Sequence, residues 1–255
     1  MTDKFNRASL CLVTAVDIEF KTAISLLSQT ILSSESGFKI CQGFFGNRNV
    51  TVLQCGMGAP GFAEWLKDHL KTNCYEALIV IGLAGGLDPK LKTSDVVIYD
   101  LCRDVRPHQD FRFSQQQEVF CDNAFGESLL KTFRSTSLRA FRGTGVTVRR
   151  IVTDAEDKLR LGESQQAMAV DMESFDVLRV AAELGLPAAA VRVISDAANH
   201  TLPDLNVAAE ASGKINPWRL AVAMLRRPAA SIRFLANIKP VIETFRECLQ
   251  VILSV

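Results

Sequence analysis

Net charge is nearly missing from this sequence: 29 Lys and Arg stand against 28 Asp and Glu over 255 residues, a formal +1. A nucleic-acid partner needs a basic face to meet its phosphates, so no nucleic-acid role is expected. Histidine is scarce, with His69, His108 and His200 the three in the chain, which argues against a histidine-rich metal site. No C-x-x-C pair occurs among the seven cysteines, so neither a zinc ribbon nor a thioredoxin-like centre is indicated. Several cysteines lie in apolar runs such as Leu10-Cys11-Leu12 and read as small buried hydrophobes in a reducing compartment. The start, Met1-Thr2-Asp3-Lys4, lacks the apolar stretch of a signal peptide. The longest apolar run, Ala77–Leu87, contains three glycines and is too short to span a bilayer. Repeats and low-complexity segments are absent too. The expectation is a cytoplasmic enzyme or binding protein.

What the chain does have is apolar content, 48% of its residues, enough to exclude disorder and to build a full core. Short runs rich in Val, Ile and Leu predict strands over Leu10–Val16, Val50–Cys55, Ala77–Gly82, Asp95–Tyr99, Thr144–Val152 and Ala188–Ile194. They are mostly unalternated, as strands buried on both faces are. Helices are predicted over Ala59–Leu70, over Asn123–Phe133 with Asp122 as N-cap, and over Glu173–Leu184 with Gly185 and Pro187 as stop signals. Two more follow, Asn216–Leu225 and Pro228–Ile252, with Pro240 expected to kink or split the second. The polar stretch Leu101–Phe120 reads as a long loop, a candidate lid or interface segment. Strands alternating with helices predict an α/β fold, a central sheet covered by helices on both sides. The length suits a single domain, 1–255, with the helical segment 216–252 packed on it. The basic and apolar tail also fits weak contact with a membrane surface, although packed terminal helices explain it as well.

Ligands of open α/β folds bind beyond the carboxyl ends of the strands, and four such places carry suggestive residues. After the first strand come Asp17-Ile18-Glu19: helix-start acids complementing the dipole, or Glu19 as a general base. After the third come Gly82-Leu83-Ala84-Gly85-Gly86-Leu87, whose backbone can approach an anion or a sugar, or simply turn. Asp171-Met172-Glu173 opens a helix, and its carboxylates suit sugar hydroxyls or a plain N-terminal cap. Ser195-Asp196 ends a strand whose one charge is Arg192; Asp196 there suits an acid or an N-cap.

Together and in this order, Ala15-Val16-Asp17-Ile18-Glu19, Gly56-Met57-Gly58, Gly82–Leu87, Val170-Asp171-Met172-Glu173 and Arg192-Val193-Ile194-Ser195-Asp196 resemble the nucleoside phosphorylase and nucleosidase superfamily. The branch they resemble is the methylthioadenosine/S-adenosylhomocysteine nucleosidases. Gly82–Pro89, Val170–Ser174, Leu186-Pro187 and Leu225-Arg226-Arg227-Pro228 look especially like the hopanoid-associated phosphorylases, which act on adenosylhopane.

The resemblance implies a three-layer α/β/α sandwich with a central mixed sheet, nucleoside phosphorylase-like. It also implies cleavage of the N-glycosidic bond of an adenine nucleoside. Asp196 would protonate or hydrogen-bond N7 of the leaving adenine, with Ser195 orienting its carboxyl. Glu173 would hold the ribose hydroxyls, Met172 would lie against the sugar, and Glu19 would activate water. Gly85 belongs to the matching glycine loop, and the peptide around Val152 would line the base. No metal or organic cofactor is implied; inorganic phosphate is a candidate co-substrate. The partner is a small nucleoside, and a homo-oligomer, dimer or larger, is expected.

Three departures leave the acceptor open between phosphate and water. Leu83 stands where nucleosidases carry a small hydroxyl residue. Asp171 replaces a Glu. The first loop lacks the phosphorylases' arginine, for which Lys21, Arg48 or Arg103 would have to substitute. A catalytically silent nucleoside-binding module is the competing reading. A dinucleotide-dependent oxidoreductase fits poorly, since its glycine loop would directly follow the first strand.

Overall fold

The computed structural model describes residues 9–58, 61–106, 117–207, 222 and 224–254. Its first half runs β1 (Ser9–Thr14), α1 (Asp17–Ile24), β2 (Ser28–Glu35), β3 (Phe38–Phe45), β4 (Arg48–Gln54), α2 (Phe62–Thr72), β5 (Tyr75–Gly86) and β6 (Val96–Asp104). The rest runs β7 (Gln117–Phe120), α3 (Asn123–Arg134), β8 (Ala140–Thr147), α4 (Ala155–Gln165), β9 (Ala169–Asp171), α5 (Ser174–Glu183), β10 (Ala188–Asp196) and α6 (Pro228–Leu253).

All ten strands join one mixed sheet in the order β10-β6-β8-β9-β5-β1-β4-β3-β2, with β7 hydrogen-bonded to β6. β1 pairs in parallel with β4 and β5, and β10 with β5, whereas β6–β10, β5–β9 and β2–β3–β4 are antiparallel. Because β10 bonds to both β6 and β5, strands β5, β10, β6, β8 and β9 close into a ring from which β1, β4, β3 and β2 extend as an open wing.

Alternation along buried strands sorts their side chains onto two faces. Cys11, Val13, Leu78, Val80 and Tyr99 meet α2 and α5 through Phe62, Leu66, Phe175 and Leu178. Leu10, Leu12, Ile79, Ile81 and Ile98 meet α1, α3 and α6 through Phe20, Leu129, Phe133, Phe245 and Leu249. Three layers result, as the resemblance implies, and both faces are dry, which is why the strands read as unbroken apolar runs. Six of the seven cysteines are buried in this core, Cys74 being the exposed one.

Several expectations shift. The strand expected over Thr144–Val152 lies at Ala140–Thr147. The expected loop Leu101–Phe120 is strand at both ends, because β6 continues to Asp104 and β7 folds back on it with Leu101 opposite Phe120. Its middle, 107–116, and most of the helix expected over 216–225 lie outside the described residues. Pro240 does not split α6, which runs unbroken through it. Asp122 caps α3 as expected, accepting from Phe125 N–H at 2.7 Å.

Candidate active site

A cavity of about 280 Å³ opens where β1, β5 and β10 end. Glu19, Gly85, Val152, Met172, Glu173, Ser195 and Asp196 all line it. Three of the four sequence segments are thus brought together by the parallel run of β1, β5 and β10, whose carboxyl ends point the same way, and the fourth, Asp171-Met172-Glu173, arrives at the end of β9, which pairs antiparallel with the end of β5.

Glu19 is buried, unlike its neighbour Asp17, which faces solvent and pairs with Lys39 at 2.7 Å. One Glu19 oxygen accepts from Ala15 N–H at 2.8 Å and Val16 N–H at 3.1 Å; the other accepts from Leu83 N–H at 2.8 Å. Leu83 therefore bonds through its backbone, the part of the residue that a leucine side chain leaves unchanged. Burial pushes the Glu19 carboxyl above its ordinary range, against the pull of the Leu83 N–H and of Arg192. Arg192 reaches it over Gly82: a Cβ there would stand 2.6 Å from Arg192 Nη1 and 2.8 Å from Glu19 Oε1. Only glycine leaves room for this approach.

Arg192 is fully buried within β10 and organises the acids around it. Its Nε donates to Asp171 Oδ2 at 3.0 Å, its Nη2 donates to Ser174 Oγ at 2.8 Å, and Nη2 lies 3.6 Å from Glu173 Oε2. Asp171 is saturated structurally: it also accepts from Tyr99 O–H, from Thr147 O–H and from the Glu173 and Ser174 N–H groups. Burial acts against its charge, but Arg192 and these donors prevail and hold its carboxyl below the ordinary value. Glu173 keeps one oxygen on Gly58 N–H at 2.9 Å. Burial, with Asp171 and Glu19 nearby, outweighs Arg192 and pushes the Glu173 carboxyl up to about 7. The pair Asp171 and Glu173, equivalent in the sequence, is thus split into a fully paired anion and a carboxyl with few donors.

Asp196 ends β10 and lines the same cavity. Its Oδ1 lies 2.5 Å from Ser195 Oγ, which also reaches Ala84 O at 3.1 Å. Its Oδ2 accepts from Lys158, a fully buried lysine of α4. Asp171 also reaches the lining, and the rest is apolar, with Val16, Ile18, Met57, Leu83, Val148, Ile151, Leu202, Leu205, Phe234 and Ile238. None of the described lining residues is Lys or Arg. Lys21 faces solvent, Arg48 pairs with Glu76 and Arg103 with Glu118, and none of the three lines the cavity. Among the described residues, no group of three or more His, Cys, Asp and Glu is placed to hold a metal ion.

The family model of the phosphorylase superfamily matches residues 9–226. The chain belongs to this superfamily. One curated member, the DeoD-type purine nucleoside phosphorylase of Buchnera aphidicola subsp. Schizaphis graminum, is 24% identical over 155 residues, 60% of this chain and 66% of that one. The 5′-methylthioadenosine/S-adenosylhomocysteine nucleosidase of Glaesserella parasuis serovar 5 is 26% identical over 220 residues, 80% of this chain and 94% of that one. The solved structure of futalosine hydrolase from Helicobacter pylori strain 26695 shares the superfamily fold at a TM-score of 0.75, with 16% identity and 97% of each chain covered. Relatives with three different activities thus carry similar scaffolds, and only the residues of the cavity can separate them.

The roles of two residues escape a reading of the sequence motifs. Arg192 heads the motif Arg192–Asp196 but carries no role there beyond a lone charge in an apolar strand, a signal that buried carboxylates surround it. Lys158 gives no signal, because Asp154–Arg160 reads as an ordinary polar stretch.

Proposed function

We propose that this superfamily member is an enzyme cleaving the N-glycosidic bond of an adenine-type nucleoside, with water as the acceptor. The observation that carries the reading is the convergence of buried carboxyls, Glu19, Glu173 and Asp196 with Asp171 beside them, on one largely apolar cavity. Cleavage passes through an oxocarbenium-like ribosyl cation, so the leaving base and the sugar must both be stabilised. Asp196, oriented by Ser195, serves N7 of adenine as the acid. Glu173 accepts from the ribose hydroxyls, Met172 lies against the sugar, and Val152 and Gly85 flank the base. Glu19 takes the proton of the attacking water. Its carboxyl, raised by burial, and its fixed position on three N–H groups suit a base. A phosphate acceptor would need a cation, and the described lining holds neither Lys nor Arg.

The apolar wall of Ile18, Leu205, Phe234 and Ile238 favours a nucleoside with an apolar 5′ substituent. Methylthioadenosine is the small case; the resemblance to hopanoid-associated enzymes extends it to adenosylhopane. The test is adenine release from methylthioadenosine, S-adenosylhomocysteine, adenosine and adenosylhopane, with and without phosphate, resolving free ribose products from ribose 1-phosphates. Release without phosphate is expected. Release that requires phosphate would make the protein a phosphorylase, and saturable binding with no product from any of the four would make it a silent binding module. Asp196→Asn is expected to abolish release while keeping the fold, measured by product chromatography and circular dichroism.

A further inference from the structure

Lysine is rarely buried completely, yet Lys158 is, on the first turn of α4. A protonated Nζ has three N–H donors. Three acceptors surround it: Asp196 Oδ2, His200 O at 2.7 Å and Ala197 O at 3.4 Å. The turn that presents the two carbonyls is tied down on both sides. His200 N–H bonds to Ala197 O at 2.9 Å and Leu202 N–H to Thr153 O at 2.8 Å. Arg227 joins Leu202 O to Asp154, the residue preceding α4, at 3.0 Å each. The ammonium is therefore held against one carboxyl, the one placed at the leaving base.

Asp196 meets the Lys158 ammonium on one oxygen, the pairing of a charged carboxylate, which has no proton of its own to give. The departing base nevertheless needs one. We infer that Lys158 is a positioning residue that supplies this proton through Asp196, an inference that rests on the reading of Asp196 as the acid. As the C1′–N9 bond breaks, its electron pair moves into the purine ring. The Asp196 carboxyl yields one proton to N7 and takes one from Nζ. Adenine leaves neutral, Asp196 ends as it began, and Lys158 becomes an amine that regains a proton from solvent after product release. The surroundings permit this without an orphaned group. The amine's two N–H groups stay on Asp196 Oδ2 and His200 O, and Ala197 O keeps the His200 N–H at 2.9 Å.

The test uses two variants and two leaving groups. Lys158→Arg keeps the charge but does not release a proton; Lys158→Met removes both. Each is assayed on the nucleoside that wild type cleaves best and on 4-nitrophenyl β-D-ribofuranoside, whose phenolate departs without protonation. Both variants are expected to lose at least 100-fold in kcat for adenine release, with KM within about threefold of wild type. Turnover of the nitrophenyl riboside is expected to stay within about threefold of wild type, an outcome a merely structural lysine would not give. Wild-type adenine release by Lys158→Arg would overturn the inference, since charge alone would then suffice. Equal loss on both substrates by folded variants would overturn it too. Failure of the underlying reading shows separately, as an active Asp196→Asn.

Discussion

Arg192 shows how one residue divides the labour of the acids around it. Asp171 and Glu173 both contact its guanidinium, but Asp171 collects five donors and remains an anion, whereas Glu173 has few and is pushed up to about 7. The sign follows directly. Below about pH 7 the Glu173 carboxyl is protonated and accepts poorly from ribose hydroxyls. The kcat/KM for nucleoside should therefore fall on the acid side with a midpoint near 7. Glu173→Gln should lower kcat/KM at pH 8 by about 10- to 100-fold and flatten that limb, since the amide does not titrate. Arg192→Met should be costlier to the fold, because two buried carboxylates lose their counter-ion. We expect about 3 kcal/mol of destabilisation in urea unfolding, typical of breaking a buried ion pair from one side.

At the scale of elements, the site depends on where strands stop and on which helix covers them. β5 passes Gly82 between Arg192 and Glu19 before its glycine-rich end reaches β9. Gly82→Ala forces the two charged groups apart. It should cost about 1–3 kcal/mol, the usual range for overpacking, and reduce kcat more than tenfold, read by steady-state kinetics beside thermal unfolding. α6 packs on β10, α1 and α3 and brings Phe234 and Ile238 into the cavity wall. Phe234→Ala should raise KM for a nucleoside with an apolar 5′ substituent about tenfold while leaving adenosine little changed, the range that a lost apolar contact gives in discrimination. Equal effects on both nucleosides would move Phe234 away from the 5′ position. The helices themselves were largely legible. Asp122, Gly185 and Pro228 mark ends the structure uses. The hairpin β2–β3 was not, because Ser28–Glu35 is solvent-exposed throughout and carries no apolar alternation. α4 was not either, its first turn reading as a polar stretch.

Across the whole molecule, the strands serve both helical layers at once, with alternate residues of β1, β5, β6 and β10 feeding the two cores. Neither layer can lose its partner without exposing the other. Unfolding by denaturant should follow one transition, with near- and far-ultraviolet circular dichroism coinciding; separated transitions would contradict the single domain. No helix among the described residues is long and apolar enough to cross a membrane. The same closed ring holds β10 between β5 and β6, which places Asp196 in the cavity that Glu19 also lines rather than at a sheet edge.

By itself, the sequence determined which strands are buried and where their chemistry begins. A strand dry on both faces must be apolar, so acids and glycines at or just past its end point to the mouth of a site, as at Glu19, Gly85 and Asp196, although Asp17, the first acid after β1, turns to solvent. Tertiary structure alone decided what those acids become. Lys158 lies 38 positions from Asp196 yet bonds to it, and Arg192 lies 21 from Asp171 yet holds its carboxyl below the ordinary value. Charge is set by neighbours in space and by the removal of water, and neither is recorded in local spacing.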